Sequence, residues 1–268
     1  MAATGTLGVR IRDGGRARVV VLTRILLLSI GLGWWELLAR SGLLFEGVVP
    51  RLAAIGQGLV RLIASTTFLG NLETTAGEVA AAVVIGGSGG LLVGLILGVR
   101  RFLGQAFEPY LYYLGPTPKI VFFPIMIMWF GVGAGSKIAM GVVSCFFPVA
   151  LGVAAGVRQI EPVLMRVGRS FRANPAQMAI KIYLPAMREP IVNSFRLGLG
   201  LAIIGVLLAE TKLSNRGLGF MVIDSYSRFD MPMMYALIIA IFALAVTLNA
   251  GLSQLAQGRA LSRIDASR

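Results

Sequence analysis

Few residues in this chain can do chemistry, and the scarcity narrows the possible functions. Histidine is absent from all 268 positions, which removes the commonest metal ligand and the usual general base. The single cysteine, Cys145, lies inside an apolar run, so an intrachain disulfide is impossible and a small-hydrophobe role is expected. The stretch GVGAGSK (131–137) looks superficially like a phosphate-binding loop. Ser136 separates Gly135 from Lys137, however, and the apolar IMIMWF precedes it where a strand should be. It reads as a tight loop, and no catalytic, cofactor-binding or metal-ligating residue is expected. Glu78, Glu108 and Glu210 fall near the ends of apolar runs. A carboxylate inside a membrane is a functional candidate, but snorkelling or capping at a span end accounts for all three. The middles of the runs are nearly free of charge, which argues against a proton or sodium relay.

The other concentration of chemistry is basic. RVGRSFRANPAQMAIKIYLP (166–185) is an island between long hydrophobic runs. Glu161-Pro162 can open a helix, with proline where its missing N–H costs nothing. Val163, Val167 and Phe171 then recur every four residues, with Leu164 beside them, while Arg166, Arg169 and Arg172 recur every three on another face. Asn174-Pro175 supplies an N-cap and a second helix start, and Pro185 is expected to end that helix. Two short amphipathic helices could lie on anionic lipid, dock into a groove on another protein, or merely connect.

The elements around the island follow from composition. Hydrophobic residues make up 56% of the chain and charged ones 14%, and the mean hydropathy is +0.81. That is too little charge for the surface of a soluble globule. Apolar runs at residues 19–39, 75–99, 120–130 with the helix before it, 137–157, 191–209 and 233–255 predict about six transmembrane helices in an all-α integral membrane protein. The basic start followed by an apolar stretch could be a signal peptide, but its length and the lack of a clean cleavage site favour a retained span. Trp34 and Trp35 near its far end fit an interfacial aromatic belt. The third span is interrupted by Pro116, Pro118 and Pro124.

A net charge of +13 raises the question of nucleic acid, but no binding motif appears and the charge is distributed between spans. Placing both termini and the island on one side puts 17 of the 25 Lys and Arg residues there. By the positive-inside rule that side is cytoplasmic. The expected organisation is a cytoplasmic tail over 1–18, one transmembrane domain over 19–255 containing a loop at 158–189, and a cytoplasmic tail over 256–268. Gly86, Gly90, Gly94 and Gly98 form a stripe every four residues in the second span. Such a stripe admits close backbone approach, either by a second copy or by a neighbouring span of the same chain.

The island, continuing through AMREPIVNSFRLGLGLAIIGVLLAE, resembles the cytoplasmic signature of type I (MetI-like) ABC-importer permeases. It is most similar to the branch handling nitrate, sulfonate, taurine, bicarbonate and thiamine-precursor substrates. GPTPKIVFFPIMIMWFGVGAGSKI, FFPVALGVAAGVRQIEPVLM and AETKLSNRGLGFMVIDS resemble further family segments in the same order, so the likeness spans roughly residues 70–255. The family loop reads Glu-Ala-Ala, three residues, Gly, then nine residues and a hydrophobe-x-Leu-Pro. Aligned on Leu184-Pro185, its Glu falls on Arg166 and its Gly on Arg172. Ala173 matches, and Asn174 stands where Ser is common.

The resemblance implies a non-catalytic permease subunit that passes a small solute across a bacterial inner membrane by alternating access. It implies a second copy of the chain, two ATP-binding subunits carrying ATP and Mg, a periplasmic solute-binding protein, and no partner nucleic acid. The ATPase-coupling loop would comprise Glu161, Arg166, Gly168, Arg169, Ser170, Phe171, Arg172, Ala173, Asn174, Pro175, Gln177, Leu184 and Pro185. An ion-gradient-driven secondary transporter is the alternative, and would need an intramembrane ion site or an inverted repeat. A membrane-anchored scaffold or small-molecule channel would leave the island without a partner.

Overall fold

The computed structural model describes residues 13–43 and 47–265, with side chains over 19–43 and 47–251. Every regular element among these residues is helical, as a lipid-exposed backbone requires when water cannot satisfy its polar groups. Three long helices form the core: α3 (Thr66–Val99), α6 (Ala134–Arg158) and α10 (Arg188–Glu210). The remaining elements are α1 (Asp13–Ser41), α2 (Leu52–Ile63), α4 (Arg101–Leu114), α5 (Phe123–Phe130), α7 (Pro162–Ser170), α8 (Pro175–Met178), α9 (Leu184–Ala186), α11 (Leu218–Ser227) and α12 (Met231–Asp265). Residues 1–12 and 266–268 of the expected tails lie outside the described residues.

The glycine stripe of α3 faces α6 of the same chain. A Cβ on Gly86 would stand 2.6 Å from the Val142 carbonyl oxygen, and one on Gly90 would stand 2.8 Å from that of Phe146. Gly94 meets Ala150 and Val153, and Gly98 meets Val157. Both sets of numbers rise together, so α3 and α6 run parallel. α10 runs the other way: Gly205 meets Met140 and Ser144, Gly198 meets Cys145 and Val149, and Pro190 lies against Gly156. Backbones in such contact gain the dispersion energy that replaces a hydrophobic driving force in lipid. Val149, Val153, Cys145, Ala202 and Val206 fill the seam and are fully buried.

Parallel packing of α3 and α6 has a topological consequence. The connection between them must return across the membrane, and α4 with α5 is the only chain available to do so. Arg101–Leu114 and Lys119–Phe130 are together apolar enough to cross but are bent by 92°. Pro116 and Pro118 lie at the bend, where proline removes a backbone donor and disfavours helix in the residue before it. With Val19–Ser41, Thr66–Val99, Ala134–Arg158, Arg188–Glu210 and Met231–Gly251 as the five unbroken spans, the bent pair makes six.

Two differences from the sequence reading have simple causes. α3 has 34 residues, about 50 Å at 1.5 Å per residue, and so extends well past a hydrocarbon core of roughly 30 Å. Its first turns are too polar to be recognised by hydropathy alone. α1 packs on the bundle only near its far end, where Trp35 donates from Nε1 to the Pro50 carbonyl (3.0 Å) and meets Tyr235 edge to face. Trp34 beside it is exposed.

Candidate functional site

The loop joining α6 to α10 is the first place where the chain offers side chains to something outside itself. α7 starts at Pro162 and ends at Ser170. Arg172 then takes φ 48°, the left-handed region that side chains with a Cβ seldom enter. This is the position at which the resemblance aligns a glycine, and the turn supplies a reason for one. Asn174 restarts the helix with a reciprocal cap: the Gln177 N–H donates to Asn174 Oδ1 (2.7 Å) and the Asn174 N–H donates to Gln177 Oε1 (3.0 Å).

Pro185 does not end this second helix. α8 passes through a π-turn over Ala179–Tyr183 into α9, and the Met187 N–H donates to the Tyr183 carbonyl (3.0 Å). The wider five-residue hydrogen-bond spacing of a π-turn lets the chain pass a residue without an N–H, so the helical path continues almost directly into α10. Gly168 is buried because α7 rests there on Met178 and Ile182, leaving no room for a Cβ. The two short helices are therefore braced against each other and against the end of a long span.

The exposed side of α7 has no partner within the chain. Val163, Leu164 and Val167 are about half exposed, and Phe171 is 82% exposed. The side chains of Arg166, Arg169 and Arg172 are exposed and make no ion pair or hydrogen bond among the described residues. Glu161, Ser170, Asn174, Pro175, Gln177 and Pro185 are exposed as well, while Ala173 and Leu184 are half-buried.

At the opposite end of the bundle the structure bears out capping for Glu210 and rules out snorkelling for both Glu210 and Glu78. Glu210 and Glu78 do not snorkel; they are 1% and 4% exposed. Glu210 ends α10, yet its carboxylate caps α11. The Gly219 N–H donates to Glu210 Oε2 (2.6 Å) and the Thr75 hydroxyl donates to Oε1 (2.7 Å). Thr75 in turn accepts from the Leu218 N–H (2.8 Å), and Asn71 Oδ1 accepts from the Gly217 N–H (2.6 Å). Gly217, at the N-cap of α11, has no side chain to do this work. Acceptors borrowed from α3 and α10 satisfy the orphan amides of the first turn, and a carboxylate there also suits the helix dipole. Gly217 has φ 102°, and a Cβ would strike the Glu210 carboxylate, so no other residue fits.

Lys137 stands beside this network. Its Nζ lies 3.5 Å from Glu78 Oε1, and neither Glu78 oxygen has a hydrogen-bond partner. Lys137 is itself 4% exposed. Paired charge of this kind is how a bundle tolerates ions away from water. Glu108 follows the same rule at the other end of the bundle, where Arg158 donates to its Oε1. Reading each acid alone missed these pairs. The usable signal was a lysine and a glutamate each flanked by small and apolar residues within a spanning helix.

Six crossings, a braced helical loop between the fourth and fifth, and an ion-paired clamp at the far end define a polytopic membrane protein whose offered surfaces lie at the ends of its bundle. Residues 90–260 match the family described as binding-protein-dependent transport system inner membrane component, and the chain belongs to that family. It is the membrane permease of such a transport system. A Bacillus subtilis permease named for aliphatic sulfonates, SsuC, is 29% identical over 79% of this chain and 76% of its own. The Escherichia coli taurine transport system permease protein TauC is 34% identical over 65% of this chain and 62% of its own. Among solved structures, the MetNI methionine ABC transporter in an inward-facing conformation matches with a TM-score of 0.60 at 17% identity. That match covers 80% of this chain and 99% of the other.

Proposed function

We propose that two copies of this chain form the transmembrane passage of an importer for a small sulfonate, and that the loop over residues 158–189 transmits the work of ATP-hydrolysing partner subunits. The observation that carries this reading is the unpartnered stripe of Val163, Val167 and Phe171 on a helix braced from behind at Gly168. A lever must be rigid on the side joined to the spans and sticky on the side joined to its driver. The loop has both properties. The excess of Lys and Arg on its side of the membrane supports a cytoplasmic location for it and for both termini. A solute-binding protein would then dock at the opposite end, near the Glu210 clamp. Magnesium and ATP belong to the partner subunits.

Arg166 and Arg172 give the contact a distinctive polarity. Where the resemblance aligns a glutamate and a glycine, this chain presents two arginines, so its ATPase partner should offer an acidic cleft. Val167→Asp and Phe171→Asp place charge in the stripe without disturbing buried packing. Both should abolish co-purification of the ATPase and ATP-dependent uptake while the permease melts at its usual temperature. Arg166→Glu should weaken the same complex in a salt-sensitive way. Full-strength complex and uptake in all three variants would refute the proposal. Thermal stabilisation of the cognate binding protein by taurine or alkanesulfonates, and not by nitrate, would support the solute class.

A further inference from the structure

One cleft is distinct from both the exposed stripe of α7 and the Glu210 clamp. It has a volume of about 970 Å³ and opens between the end of α3, the start of α4 and the loop helices. Three arginines line it: Arg100 and Arg101 from the α3–α4 corner, and Arg169 from α7. None has an acidic partner among the described residues. The first turn of α4 points the same way chemically, because no side chain caps it and its free amides favour an anion. The remaining walls are apolar, with Ile96, Phe102, Met178 and Tyr183 among them. Phe102 is 79% exposed.

We infer that this cleft is a binding site for an anionic phospholipid, with the phosphate between Arg100, Arg101 and Arg169 and an acyl chain along Ile96 and Phe102. Three observations select this occupant over others. Unpaired arginines at the end of a span call for a phosphate, and Arg is suited to bidentate contact with one. On the apolar wall, Ile96, Val99 and Phe102 are themselves exposed at the ends of α3 and α4, which offers an acyl chain an apolar path along them. An acidic protein segment would match the arginines but not those walls. Arg169 also lies about 200° around α7 from Val167, at 100° per residue, so the cleft and the exposed stripe use different sides of one helix.

The site has a consequence for transmission. One wall belongs to transmembrane helices and the other to the loop, so a lipid bound there ties the two together independently of α9 and α10. The leaflet depends on the cytoplasmic orientation proposed above, but the cleft and its chemistry do not.

The test uses the full-length permease in complex with its ATPase. The complex is reconstituted into discs of phosphatidylcholine alone or mixed with phosphatidylglycerol in both leaflets, so that failure of the orientation would not mimic failure of the site. Lipid retained after extraction is counted by native mass spectrometry. Wild type should retain phosphatidylglycerol over phosphatidylcholine. Each of Arg100→Gln, Arg101→Gln and Arg169→Gln should lower retention by about fivefold, the share of one arginine near a charged bilayer. Phe102→Ser, which leaves every charge in place, should also lower it. Equal retention in wild type and the arginine variants would overturn the inference. So would unchanged retention in Phe102→Ser, or displacement of the lipid by inorganic phosphate at physiological salt, since a chain held in the groove should resist a free anion. Arg101 is exposed and its variant is expected to fold; a circular dichroism spectrum and melting temperature matching wild type qualify each variant for the comparison.

Discussion

Replacing Gly86 by alanine tests the close approach that sets the topology. An added Cβ would lie 2.6 Å from the Val142 carbonyl oxygen and 3.0 Å from its Cα, both backbone atoms that no rotamer change can move. Relief needs α3 and α6 to part by about 0.8 Å along a seam where Gly90, Gly94 and Gly98 make similar contacts. Overpacking of this size costs about 1–3 kcal/mol, offset by about 1 kcal/mol for alanine over glycine in a helix. The net loss is up to ~2 kcal/mol. Gly77→Ala is the internal control. It makes the same chemical change in the same helix, but no atom lies within 4 Å of the new Cβ. It should therefore be neutral or stabilising. Thermal unfolding of the purified protein in one detergent should separate the two variants by several degrees, at roughly 2–4 °C per kcal/mol. Gly86→Ala matching or exceeding Gly77→Ala would refute intrachain packing of the stripe.

Three further outcomes follow from particular contacts. Thr75→Val removes a hydroxyl that is 2% exposed and serves both Glu210 and the Leu218 amide, so it should cost about 2–3 kcal/mol. Hydrogen exchange at residues 217–221 should rise with it, and unchanged protection there would count against the clamp. Arg172→Gly should stabilise the free permease by up to ~1 kcal/mol, by releasing a left-handed non-glycine residue, yet weaken the ATPase complex; a parallel fall in both would mean the turn is not strained. Arg158→Gln removes the cation that donates to buried Glu108 and, with the arginine itself half exposed, should destabilise by about 1–3 kcal/mol. Adding Glu108→Gln should recover most of that loss, which a double-mutant cycle in thermal melts measures.

The helices were legible because lipid imposes a harsh filter: only long apolar runs with internal hydrogen bonds can cross, and such runs stand out in a linear sequence. The island between the fourth and fifth spans was legible for the complementary reason. Its periodic valines and arginines make no sense inside lipid. The reciprocal Asn174–Gln177 cap could be half foreseen from Asn-Pro, since capping is a local event with a local signature. The passage of the helix through Pro185 could not, because it depends on a π-turn whose spacing no single residue announces.

The sequence by itself determined that this protein lives in a membrane, where its long apolar runs lie, and where a basic amphipathic island interrupts them. These are properties of composition and periodicity, set by solvent and by neighbours a few residues apart. The tertiary structure decided which glycine meets which helix, and hence that the bent α4–α5 pair must cross. It also decided that Glu210 serves the start of α11 rather than water, with Thr75 reaching it from 135 positions away. It drew Arg100 and Arg101 to one cleft with Arg169. Such pairings depend on distance in space, and a chain of similar apolar helices carries almost no local record of which of them will touch.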